Sequence, residues 1–96
     1  MTATSTEIRD IDVAIHGDFK LSYDFAHDFT KIIATRLNPE SSLLTWYDRT
    51  RNTCGPAEVC KTSPRVDIVE LERYGLSHGG RVKIKVNDGD YVFIYS

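Results

Sequence analysis

No run of this sequence approaches the roughly 20 consecutive apolar residues that a membrane-spanning helix needs. No glycine-rich phosphate loop, serine–histidine–acid set or pair of catalytic carboxylates has the spacing its chemistry requires. Neither a nucleotide site nor a hydrolytic centre is therefore indicated, and no catalytic residue or cofactor is expected. His78, Gly79 and Gly80 would suit a phosphate turn only before a helix, and a strand follows them. Excess positive charge is missing too. Twelve Lys and Arg stand against fourteen Asp and Glu, a net charge of −2, whereas a duplex-binding protein carries a basic surplus. Residues 1–10 lack both the apolar core and the cleavage site of a secretory signal. The sequence thus reads as cytoplasmic, with no membrane partner and nucleic acid disfavoured. Its two cysteines are expected to be free thiols in that compartment.

An apolar fraction of 41% and a charged fraction of 27% suit one packed domain. Residues 1–10 read as a flexible tail and residues 11–96 as the domain. Ile11, Val13 and Ile15 alternate with polar neighbours as one short strand. Ser22 is a good helix N-cap. Phe25, Phe29, Ile32, Ile33 and Leu37 then form an apolar stripe at helical spacing, expected to face the core. Asn38 and Pro39 end that helix. Residues 43–49 form a strand with large apolar groups on both faces, Leu44 and Trp46 on one and Leu43, Thr45 and Tyr47 on the other. That places it centrally in a sheet. Residues 50–65 read as a long loop. Asp67 with Glu70 is a possible capping box for a short helix turning Ile68, Leu71 and Tyr74 inward, which Gly79 and Gly80 end.

Residues 81–95 carry the strongest local signal, two alternating strands around Asp88 and Gly89. A two-residue turn puts Val82, Ile84 and Val86 on one face with Tyr91, Phe93 and Tyr95. A three-residue turn over Asn87, Asp88 and Gly89 pairs them with Val92 and Ile94 instead, since a one-residue slip inverts every side chain. The second register gives an aliphatic inner face, and burial of each such side chain contributes about 1.5–3 kcal/mol. It leaves Lys83, Lys85, Tyr91, Phe93 and Tyr95 as an outer basic-aromatic face. The expected architecture is α+β in the order β-α-β-α-β-β. One small mixed sheet of about four strands carries two helices on one face.

Three groups of residues are candidates for function. The outer hairpin face suits a protein contact, either a second copy through the sheet or another protein. The same composition suits a single-stranded nucleic-acid platform less well in an acidic chain. Trp46, Tyr47 and Asp48 end a strand beside the long loop and form a candidate pocket lip, or simply core and turn. Cys54 and Cys60 are two loop thiols, or a redox or soft-metal pair with cationic Arg49, Arg51 and Lys61 nearby. Their spacing, with His16, His27 and His78 scattered, does not support a zinc site.

Three segments taken in order carry a resemblance. They are Leu44 to Asp48 with Trp46 and Tyr47, Ser77 to Gly80, and Asn87 to Tyr95 with its Tyr-Val-Phe-Ile run. From about Leu21 onward the chain resembles a small prokaryotic family of unknown function with a cysteine-bearing middle loop. The resemblance implies a cytoplasmic single-domain α+β protein and brings no catalytic residues with it. The sequence therefore reads as a binding or assembly module, with a thiol-dependent redox or metal-binding protein as the alternative.

Overall fold

The computed structural model describes residues 8–96. The order is β1 (Arg9–Val13), α1 (Tyr23–Leu37), β2 (Leu43–Asp48), β3 (Thr53–Gly55), α2 (Ile68–Ser77), β4 (Val82–Val86) and β5 (Tyr91–Tyr95). The expected flexible tail lies outside the described residues as far as residue 7. Arg9 and Asp10, assigned to that tail, open β1. The class is α+β with one mixed sheet of five strands in the order β1-β4-β5-β2-β3. β1 runs parallel to β4, and the remaining neighbours are antiparallel. The additional strand is β3, three residues inside the expected loop that pair back on β2.

Local chemistry sets both helices as the sequence suggests. Ser22 Oγ accepts from Phe25 N at 3.2 Å and Asp67 Oδ1 from Glu70 N at 3.2 Å, so each N-cap supplies an acceptor to a free first-turn amide.

The two helices lie on opposite faces of the sheet rather than on a shared one. α1 packs over β4 and β5, where Ala26 and Ala34 meet Ile84 and Phe93. α2 packs over β2 and β5, with Leu71 beside Cys54 and Val66. A side chain at Gly75 would approach Ile94 Cγ2 to 2.9 Å, so glycine lets α2 sit close to the sheet. Between the two layers every residue of β5 is buried. β5 is thus the central strand, and the edges are β1 and β3. A bulge near Leu44 puts Leu43 with Trp46 on the α1 side, while Thr45 and Tyr47 pair with Ile94 and Val92 on the other.

The hairpin register is the inverse of the preferred one. Val82 opposes Tyr95, Ile84 opposes Phe93 and Val86 opposes Tyr91. Directly opposed residues share a face, so the three rings join the aliphatic side chains in the core. The connection spans residues 87–90, and its even length preserves the parity of a two-residue turn. Both ends of this loop are tied down. Asn87 N donates to Val13 O at 2.8 Å, and its side chain bonds Ile15 N and O at 2.7 and 3.0 Å. At the far end Arg49 N donates to Asp90 O at 2.9 Å. Asn87, Asp88 and Gly89 all take positive φ (50°, 61° and 96°), which these residue types tolerate best.

The buried rings dictate which side of α1 faces them. Tyr91, Phe93 and Tyr95 fill the layer above the sheet, so the helix meets them with small residues, Ala26, Thr30 and Ala34. Tyr95 Oη and Thr30 Oγ1 are 2.8 Å apart, and Tyr91 Oη donates to Leu21 O at 3.3 Å. Of the expected inward stripe only Ile33 packs on this core. Phe25, Phe29, Ile32 and Leu37 face solvent.

Burial also moves two phenols. Tyr23 is pushed up to about 12, first by desolvation and then by negative charge at Tyr95, Asp24 and Asp48. Tyr95 is raised by burial, which its hydrogen bond to Thr30 partly offsets. In the unfolded chain both ionise near 10. Above that pH the folded state therefore holds protons that the unfolded state has lost. This contribution to stability is complete below about pH 10 and falls as pH rises toward about 12. An alkaline titration of tyrosinate absorbance is expected to show Tyr23 and Tyr95 ionising above the ordinary phenol range, together with loss of structure. Ionisation of Tyr23 and Tyr95 near 10 with the fold intact would contradict the packing.

Candidate functional surface

The three sequence-nominated groups occupy different places. Tyr91, Phe93 and Tyr95 are core residues, so they form no outer platform. Lys83 and Lys85 do project from the α2 side of β4, where β1 supplies their counter-charges. Lys83 Nζ lies 3.9 Å from Asp10 Oδ1 and also pairs with Glu72, and Lys85 Nζ lies 3.5 Å from Asp12 Oδ1. This ladder of opposite charges leaves little field for a phosphate backbone.

Trp46, Tyr47 and Asp48 alternate across the sheet and do not converge as a lip. The Trp46 ring packs on Tyr23, 4.9 Å between centroids, and opposite Gly55, whose missing side chain gives the indole its room. Tyr47 faces the other way, paired with Cys54. Asp48 is buried and anchors the following turn. It accepts from Thr50 Oγ1 at 2.5 Å and from Arg51 N and Nε at 3.3 and 3.0 Å.

Cys54 and Cys60 are joined in a disulfide, not free as expected from the compartment reading. Both sulfurs belong to the small core beneath α2, with Val66 and Leu71. Two of the three cationic neighbours noted in the sequence are engaged elsewhere. Arg49 Nη2 contacts Asp90 Oδ1 at 2.7 Å, and that hydrogen bond holds the guanidinium further in its charged form. Arg51 turns to Asp48. Among the described residues, no cluster of three His, Cys, Asp or Glu side chains is placed to hold a metal ion.

Most of the helical stripe expected to face inward, joined by Phe19, forms the most prominent apolar surface outside the core. Phe19, Phe25, Phe29, Ile32 and Leu37 are 45, 38, 41, 58 and 45% exposed. Phe19 stacks on Phe25 and Phe25 on Phe29, each pair with centroids 5.1 Å apart. A shallow depression of about 360 Å³ lies among Phe25, Asp28, Phe29 and Ile32. Scattered exposed apolar residues are ordinary, but a contiguous stacked row is a usual mark of a contact surface. The sequence signal for it was present as the helical stripe. What was missing was the aromatic face of the sheet, which claims the small residues of α1. A second groove, about 720 Å³, lies between α2 and β1, with Ile8, Val69 and Leu76 around the Lys83 ion cluster.

Among the described residues no helix is long and apolar enough to cross a membrane. Comparison with curated proteins finds no match. A solved structure of the novel protein AF1514 from Archeoglobus fulgidus is similar in fold. Its TM-score is 0.70 at 23% identity, with 94% of this chain and 94% of that chain covered. The family model described as Domain of unknown function (DUF5619) matches residues 8–95.

Proposed function

The chain belongs to this DUF5619 family, and from that premise we propose that it is an assembly module whose contact face is the outer side of α1. The observation that carries this reading is the stacked, solvent-facing row of Phe19, Phe25 and Phe29. The sheet is a poorer candidate. Its rings are buried, its central strand is covered on both sides, and its uncovered part is a charged ladder.

A contact face is retained for binding, so its removal leaves the isolated fold nearly untouched. Phe29→Ser is expected to change the unfolding free energy of dilute protein by less than about 0.5 kcal/mol. The same change is expected to abolish binding of a fluorescent hydrophobic dye. A loss above about 2 kcal/mol, the scale of buried-site truncations, would make the ring structural and remove the reading.

One observation favours a second reading, thiol chemistry. Cys54 and Cys60 stand with Cα atoms 5.5 Å apart, within bonding reach across the loop.

A further inference from the structure

We infer that the occupant of the α1 face is a second copy of the same chain, its α1 lying antiparallel across a two-fold axis between Phe29 and Ile32. The inference rests on the outer side of α1 being the contact face, and it adds the partner and its orientation. Charge distribution along the helix carries it. Asp24 and Asp28 occupy the first half of α1, Lys31 and Arg36 the second. None of the four makes an ion pair among the described residues.

Helical geometry turns Phe25, Asp28, Phe29, Ile32 and Arg36 to one side, because residues three and four apart are neighbours. An isologous two-fold contact matches each residue to its mirror position along the stripe. With the axis between Phe29 and Ile32, Phe29 of one copy meets Ile32 of the other. Arg36 then reaches the partner's Asp28 carboxylate beside the edge of its stacked Phe25 ring, an ion pair across the interface. A parallel pairing would set Asp28 against Asp28 and Arg36 against Arg36. The opposite ends of the helix therefore select the antiparallel arrangement.

The area is adequate. Phenylalanine-sized side chains offer about 150–250 Å² each, so Phe19, Phe25, Phe29 and Ile32 at their observed exposures give roughly 300–450 Å² per copy. Two copies bury roughly 600–900 Å² of apolar surface, and the flanking charged side chains bring the total to about 1,200 Å², the lower bound of stable interfaces. The α2 groove has no comparable self-complementarity, since its ion cluster is satisfied internally.

Sedimentation equilibrium of the full chain at micromolar to millimolar concentration tests this with four variants. Wild type is expected to dimerise and Phe29→Ser to remain monomeric. Asp28→Arg and Arg36→Asp singly are expected to weaken the dimer about tenfold or more, because each sets like charges together. Asp28→Arg with Arg36→Asp is expected to recover wild-type affinity within about threefold, since the two charges couple directly across the interface. Far-ultraviolet circular dichroism checks that each variant keeps its helices. A monomer at millimolar concentration overturns the second copy as partner, as would partition of monomers onto anionic vesicles. Loss of the dimer in Phe29→Ser without rescue in the double reversal overturns the antiparallel register while the α1 face stands. A dimer indifferent to Phe29→Ser overturns the face itself.

Discussion

Phe93→Ala is expected to lower the unfolding free energy by about 3–5 kcal/mol, the usual loss for a large ring truncated in a rigid core. Phe93 is fully buried at the middle of the central strand, opposite Ile84 on one side and Trp46 on the other. Tyr23 and His27 of α1 close over it, with ring centroids 5.5 and 5.8 Å away. The hole would open where sheet and helix layers meet, and four rigid neighbours limit its collapse. A domain of 96 residues has a total stability of roughly 5–14 kcal/mol. The variant is therefore expected to unfold at a much lower denaturant concentration and to populate unfolded chain at physiological temperature. Urea denaturation followed by tryptophan fluorescence measures this directly, because Trp46 borders the cavity. Phe29→Ser, on the solvent side of the same helix, should leave that curve almost in place. Were Phe93→Ala neutral and Phe29→Ser severe, α1 would be rotated by about half a turn from the arrangement described.

The contrast between those two phenylalanines also explains what was readable in the sequence. Capping at Ser22 and Asp67, the stop after Leu37 and the two hairpin strands depend on contacts within a few residues, and each was legible. Faces were not. The apolar stripe of α1 suggested burial by the rule that the hydrophobic side goes inward. That rule omits volume. A sheet face already filled by Tyr91, Phe93 and Tyr95 accepts alanine and threonine from the helix and leaves the phenylalanines outside. The hairpin parity had the same cause at one remove. Two parities were chemically allowed, and the observed four-residue connection is held by Asn87 bonding Ile15 and by Arg49 bonding Asp90, contacts distant in sequence. A wrong parity then carried the rings outward and a binding surface with them. The placement of α2 on the other face followed a similar path, since nothing local distinguishes one side of a sheet from the other. Lys83 and Lys85 lie on the face that α2 partly covers, where Lys83 also pairs with Glu72, and their partners Asp10 and Asp12 come from a strand paired only through a long crossover.

Reduction of Cys54–Cys60 is expected to lower the unfolding free energy by about 2 kcal/mol without changing the fold. The bond closes a loop of six-residue separation, and the chain-entropy relation assigns a loop this short a stabilisation near 2 kcal/mol. For a domain of this size that is a fall of about 8–16 °C in Tm. The effect should be local before it is global. Cys54 belongs to edge strand β3, and the sulfurs pack with Val66 and Leu71, so β3 and the start of α2 should gain hydrogen exchange first while β4 and β5 stay protected. The released thiols still pack as small apolar groups, and substitution of both by alanine should mimic reduction closely. This result would assign the bond a structural role. It would also count against the thiol-dependent reading, which needs an attacking thiolate stabilised by nearby positive charge. Arg49 and Arg51 are turned to Asp90 and Asp48 instead. The reverse outcome is equally specific. If a small dithiol reduces the bond rapidly in the folded chain, with no change in Tm and no change in exchange at β3, the disulfide contributes nothing to the fold. The thiol reading would then displace assembly as the better account of residues 50–65.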